Sequence, residues 1–169
     1  MHLATVNIGQ LLEPLEAPRL AGFVAALEPI NRLADESPGF VWRLQTEDGD
    51  ATALRPFDDD LALVNLAVWE SLEVLRAFVY SSAHVQVLRQ RRDWFERLTE
   101  AHMALWWVEP GHLPTVAEAI DRLERLRRDG PTPAAFTFRT PFAADAVDGA
   151  GPGQPLVDAE FCRPEPVAG

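Results

Sequence analysis

The chain contains no lysine: all fifteen of its basic residues are arginine. That removes Schiff-base chemistry, a pyridoxal-binding lysine and the phosphate-cradling P-loop, each of which needs a primary amine. Cysteine is nearly absent as well. Cys162 is the only one, which excludes an intrachain disulfide, an iron–sulfur cluster or a cysteine zinc site. The patterns GxGxxG, GxSxG and HExxH do not occur. No apolar run approaches the roughly 18 residues of a membrane span. The opening MHLATVNIGQLL lacks the basic start of a signal peptide and already reads as a strand. These absences point to a cytoplasmic protein with no membrane partner. The formal charge is -11, and no basic stripe exists that could neutralise phosphates, so nucleic acid is excluded as a partner. The densest basic run, RLERLRR at 122–128, lies among acids and reads as a solvated helix face.

What is present is a core. Of 169 residues, 47% are hydrophobic, enough for one compact domain with an appendage. LATVNIG (3–9) reads as a strand. PRLAGFVAALEPINRLADES (18–37) reads as a helix, kinked or broken at Pro29 and ended by Pro38-Gly39. FVWRLQT (40–46) and 60–69 are strands separated by a polar, turn-rich loop. Residues 71–81 and 83–100 make two helices or one bent helix, 102–110 a fourth strand, and Pro114-Thr115 opens a helix closed by Gly130. AFTFRTPF reads as a short extra strand. The order βαββαβ is the ferredoxin-like α+β fold, an antiparallel sheet with helices on one face. The expected organisation is a core over 1–112, an appended helix and strand over 113–140, and a Pro/Gly/Ala-rich tail over 141–169. Helices on one face leave the other apolar face bare, so a second copy is expected to cover it in a homodimer.

One strand carries an anomaly. LALVNLAVW (61–69) is apolar except for Asn65, and burying an unpartnered amide costs roughly 1–3 kcal/mol. The first strand carries the matching VNI with Asn7, and first and third strands are neighbours in this fold. The two amides are either structural, bonded to each other, a bulge or water, or part of a site. Trp69 shares the face of Asn65 by strand alternation, although such a Trp is more often core; the same holds for Trp42, Trp106 and Trp107. His84, Val87, Leu88, Arg91, Trp94, Phe95 and Leu98 form one helical stripe, which draws His84 and Arg91 inward. A lone His on an apolar stripe is more often a satisfied core residue than a base. Arg91 and Arg43 are candidates for an anionic group, and Tyr80, the only tyrosine, for a proton donor. His2, His102 and His112 are too scattered for a metal set.

VNIGQLLEPL…PRLAGFVAALEPIN, SPGFVWRLQTEDGDATALR, FVYSSAHVQVLRQRRDWFE and LWWVEPGHLPTVAEA together resemble the bacterial family called domain of unknown function 3291, over about residues 3–142. The resemblance implies a dimeric α/β barrel, and no general activity. A weaker resemblance runs to the antibiotic-biosynthesis and haem-degrading monooxygenases of that superfamily. They use Asn and Trp spaced N-x-x-x-W on the third strand, matched by Asn65 and Trp69, and some use an Asn on the first strand, matched by Asn7. The haem-degrading branch adds a His on the next helix, for which His84 is the nearest match at a longer offset.

The expected function is that of a small-molecule enzyme without metal or cofactor, a monooxygenase or cyclase acting on an aromatic or polyketide-like ligand. Asn7, Asn65, Trp69 and His84 would carry the chemistry, and Trp42, Arg43, Tyr80, Arg91 and Trp94 would bind substrate. The alternative is a non-enzymatic binder of a hydrophobic ligand, haem included. An RNA-recognition module has the same element order but needs exposed aromatics on a basic sheet, which the charge opposes.

Overall fold

The computed structural model describes residues 1–46, 49–52 and 59–147, with the backbone alone at 82–84 and 86–88. Cys162, most of the expected tail and much of the loop before the third strand lie outside the described residues. Four strands, β1 (His2–Gln10), β2 (Phe40–Arg43), β3 (Ala62–Trp69) and β4 (Met103–Val108), form one antiparallel sheet in the order β2-β3-β1-β4. The helices are α1 (Ala21–Asp35), α2 (Leu72–Val79), α3 (Ser82–Trp94) and α4 (Val116–Asp129). This is the ferredoxin-like α+β topology.

Local chemistry sets the helix ends. Ser71 caps α2 by accepting from the Val74 N–H, and Thr115 caps α4 by accepting from the Glu118 N–H at 3.1 Å. Gly130 ends α4 at φ +73°, where its N–H donates to Leu126 O. Of the kink or break expected at Pro29, the break does not occur: α1 runs through it to Asp35. Pro29 and Ala25, the residue whose carbonyl it leaves without a helical donor, are both exposed. Nor does α3 run on to residue 100. It stops at Trp94 because Phe95 pairs with Leu11: the Leu12 N–H donates to Trp94 O at 2.9 Å, and the Glu96 N–H to Gln10 O at 2.8 Å. The segment AFTFRTPF forms isolated bridges, including Phe136 with Leu105 of β4, and no strand.

Side-chain alternation divides the core. Ala4, Val6 and Ile8 of β1, Val64, Leu66 and Val68 of β3, and Ala104, Trp106 and Val108 of β4 face one way. α4 lays Ala119, Leu123 and Leu126 on them. Each buried leucine there contributes roughly 1.5–3 kcal/mol. The face expected to need a second copy is thus covered by the chain's own α4, because the stripe at 119, 123 and 126 is apolar while its charged residues point outward. Among the described residues, the strand positions on that face are buried without a second copy. Leu3, Asn7, Gly9, Leu63, Asn65, Ala67 and Trp69 face the other way, toward α1, α2 and α3, where two separate apolar clusters form. The clusters lie toward opposite ends of this face, and the middle between them holds the polar residues.

Candidate functional site

β1 and β3 pair in a register that sets Asn7 directly opposite Asn65, with their Cβ atoms about 4.5–5.5 Å apart by sheet geometry. The other seven residues of β3 are buried; Asn65 alone is exposed. The reason is a cavity of about 190 Å³ between this face of the sheet and the helices, lined by both asparagines. The amides do not satisfy each other. Among the described residues, Asn7 Oδ1 is buried without a hydrogen-bond partner and the Asn65 side chain makes no hydrogen bond. An amide carbonyl held in this state costs about 1–3 kcal/mol, which the fold itself does not repay.

The walls come from α1 and α3. Phe23, Ala26, Leu27, Ile30 and Asn31 of α1 recur at helical spacing and line the cavity, only half-buried because they roof a void rather than pack on the sheet. Trp94 and Phe95 close one end, held by Phe23 with ring centroids 5.6 and 5.1 Å away. Gly9 is required beneath them: a Cβ there would stand 2.6 Å from Phe95 Cε1. The loop after β2 brings Asp50, Ala51 and Thr52 to the opposite side.

Two arginines reach the cavity with different electrostatics. A register shift between Phe40 and Trp42 places Arg43 opposite Ala67 on the cavity side and Trp42 opposite Val68 on the far side. Arg43 forks onto Asp35 at 2.8 and 3.1 Å and donates to Gly49 O at 2.7 Å. Its charge is answered, and it acts as a clasp between α1, β2 and the loop. Among the described residues, Arg91 meets no carboxylate. Its Nη1 donates to His102 Nε2 at 3.4 Å, and its guanidinium lies 5.9 Å from the Phe95 ring centre. His102 Nδ1 faces Glu100 O at 3.3 Å, which assigns the proton to Nδ1 and leaves Nε2 as the acceptor.

Of the residues singled out from sequence, the structure gathers Asn7, Asn65, Arg43, Arg91 and Trp94 around one cavity. Trp69 lies outside it. Four residues on from Asn65, about 13 Å along the strand, it is 2% exposed and packed between Phe40 and Phe78, with centroids 5.2 and 4.9 Å away. Trp42 packs on the α4 side of the sheet. Tyr80 follows α2 and is 60% exposed, away from the cavity lining. His84 belongs to α3, and its side chain lies outside the described residues. Trp106 and Trp107 are structural: their indole N–H groups donate to Glu118 Oε1 at 3.0 Å and Phe142 O at 2.8 Å. Asn31 was missed by the sequence reading. Its signal is an amide four residues after Leu27, inside the apolar stripe of α1.

The chain matches the family described as Domain of unknown function (DUF3291) over residues 2–150. It belongs to that family. No curated protein matches the chain. Among solved structures, it is similar to SnoaB, a cofactor-independent oxygenase from Streptomyces nogalater, at 19% identity and a TM-score of 0.47, covering 68% of this chain and 98% of that one. It is also similar to a putative antibiotic biosynthesis monooxygenase from Chloroflexus aurantiacus, at 16% identity and a TM-score of 0.43, covering 66% and 97%. A protein of the same description from Nitrosomonas europaea follows at 13% identity and a TM-score of 0.41, covering 57% and 82%. At these identities the likeness is one of fold. Among the described residues, no helix is long and apolar enough to cross a membrane.

Proposed function

We propose that the chain is a small-molecule enzyme whose cavity binds a flat phenol or enol as its anion and lets O₂ react with it without a bound cofactor. One observation carries this reading: Asn65 stands exposed in mid-strand opposite Asn7, inside a cavity, with neither amide used by the fold. A void of about 150 Å³ in a protein core holds benzene, so about 190 Å³ takes one or two fused rings. Any further ring would reach the mouth. A tetrapyrrole exceeds this space, and the haem alternative draws no support from it.

Each residue's role follows from its chemistry. Phe23, Trp94 and Phe95 offer ring faces and edges to a planar ligand. Asn65 and Asn7 lie where amide N–H groups can hydrogen-bond the ligand oxygen as it gains negative charge, already oriented before the charge develops. Arg91, which has no carboxylate partner among the described residues, favours the ionised ligand over the neutral one. The ionised ring hands one electron to O₂, and the two radicals join to form a C–O bond. The resulting hydroperoxide loses water to leave a ketone. For an anthrone, CH₂ plus O₂ becomes C=O plus H₂O, and the substrate supplies all four electrons. Trp69 acts on this site only by packing the sheet beside it.

Oxygen uptake with anthrone and 1-naphthol tests the proposal. The protein should consume one O₂ per ketone formed, and Asn65→Ala should slow it about a hundredfold, the scale of one lost oxyanion donor. Binding without turnover would make the chain a ligand carrier instead.

A further inference from the structure

The chain has three asparagines, Asn7, Asn31 and Asn65, and all three line the same cavity. Two rise from the sheet floor. Asn31 comes from α1, on the opposite wall. It occupies the inward stripe of that helix, after Phe23, Ala26, Leu27 and Ile30 and before the buried Ala34. An apolar residue there would extend the stripe and favour the helix more than asparagine does. The neighbouring Arg32 turns outward to pair with Glu28, whereas Asn31 makes no side-chain hydrogen bond among the described residues. It is half-buried and lines the cavity.

We infer that Asn31 is a specificity-determining residue that reads an oxygen on the ligand edge remote from the sheet. An amide carries both a donor and an acceptor, so it matches a hydroxyl or a carbonyl without adding charge beside Arg91. The ligand class is therefore a ring compound oxygenated on two opposite edges: one oxygen sits over Asn7 and Asn65, the other against Asn31. This inference rests on the cavity being the ligand site, but not on the oxidation proposed for it.

Anaerobic calorimetry with three probes tests it. 1-Naphthol has one hydroxyl, naphthalene-1,8-diol has two on one edge, and naphthalene-1,5-diol has one on each edge. The native chain should bind the 1,5-diol about tenfold more tightly than 1-naphthol, a difference of about 1.4 kcal/mol. In Asn31→Leu that preference should vanish, while affinities for 1-naphthol and the 1,8-diol stay within about twofold. Asn31→Ala, which favours the helix, should behave alike and guards against a crowding effect of leucine. Asn65→Ala should weaken all three probes together. A native chain that binds 1-naphthol but does not prefer the 1,5-diol overturns the role of Asn31 and leaves the cavity reading standing. A preference that survives both Asn31 substitutions does the same. No binding of any probe overturns both.

Discussion

Replacing Asn7 with valine should make the protein more stable and less able to bind its ligand. The Asn7 carbonyl oxygen is buried and unpartnered, which costs about 1–3 kcal/mol. Valine removes that group, and its branched side chain suits a strand, a preference worth up to about 1 kcal/mol. Its position in register between Asn65 and Met103 is central in the sheet, and there this oxygen is shielded although the residue as a whole is half-buried beside the cavity. Taking about 1–3 kcal/mol as the net gain and 2–4 °C per kcal/mol for a chain of this size, Tm should rise by roughly 2–12 °C. Ligand affinity should fall in the same variant, measured by calorimetry. Stability and function moving in opposite directions is the signature of a polar group held for a ligand. A variant less stable than the native chain, with unchanged ligand affinity, would show that the amide serves the fold and would refute the reasoning.

Gly9→Ala should destabilise by about 1–3 kcal/mol and weaken ligand binding, because its Cβ would overlap Phe95 at 2.6 Å and push that ring toward the cavity; a thermally neutral variant would contradict this. Arg43→Lys should not restore the clasp, since an ammonium cannot fork onto both Asp35 oxygens and still reach Gly49 O. The expected loss is about 1 kcal/mol, with faster amide exchange at Gly49–Thr52. The Leu61 N–H, and then the Gln10 side chain, hold the Asp59 carboxyl below the usual carboxylate range. A lowered pKa in the folded state stabilises above the ordinary value and is lost as pH falls through the lowered one. Asp59→Asn should therefore be less stable than the native chain at neutral pH, and in acid unfolding the gap should start to close near the ordinary carboxylate value of about 4 and vanish only below the lowered one.

Much of the fold was legible because alternation in the strands and periodicity in the helices are strong signals. Asn7 and Asn65 were expected on adjacent strands, and they are register partners. Strand parity says which face a residue shares, but not what covers it. That is why Trp69, rightly placed on the face of Asn65, turned out to be packed by Phe40 and Phe78 rather than open to the cavity. The β2 register shift moved Arg43 to the cavity side and Trp42 away from it, and FVWR carries no mark of such a shift. The covering of the second face was misread for a different reason. α4 reads as a charged helix, and its narrow stripe of Ala119, Leu123 and Leu126 is outnumbered by arginines and acids. Asn31 is not legible in the sequence because one amide among apolar helix residues looks like tolerance at a surface; the cavity beneath it is a property of the fold.

Asn65 is the residue on which the proposed chemistry depends most directly. Anthrone oxidation followed in an oxygen electrode, with the native chain and Asn65→Ala compared at equal concentration of folded protein, reads that residue directly. The expected result is enzyme-dependent uptake of one O₂ per ketone, slowed about a hundredfold in the variant at unchanged thermal stability. Equal rates in the two proteins, or no uptake above the spontaneous reaction, would contradict it.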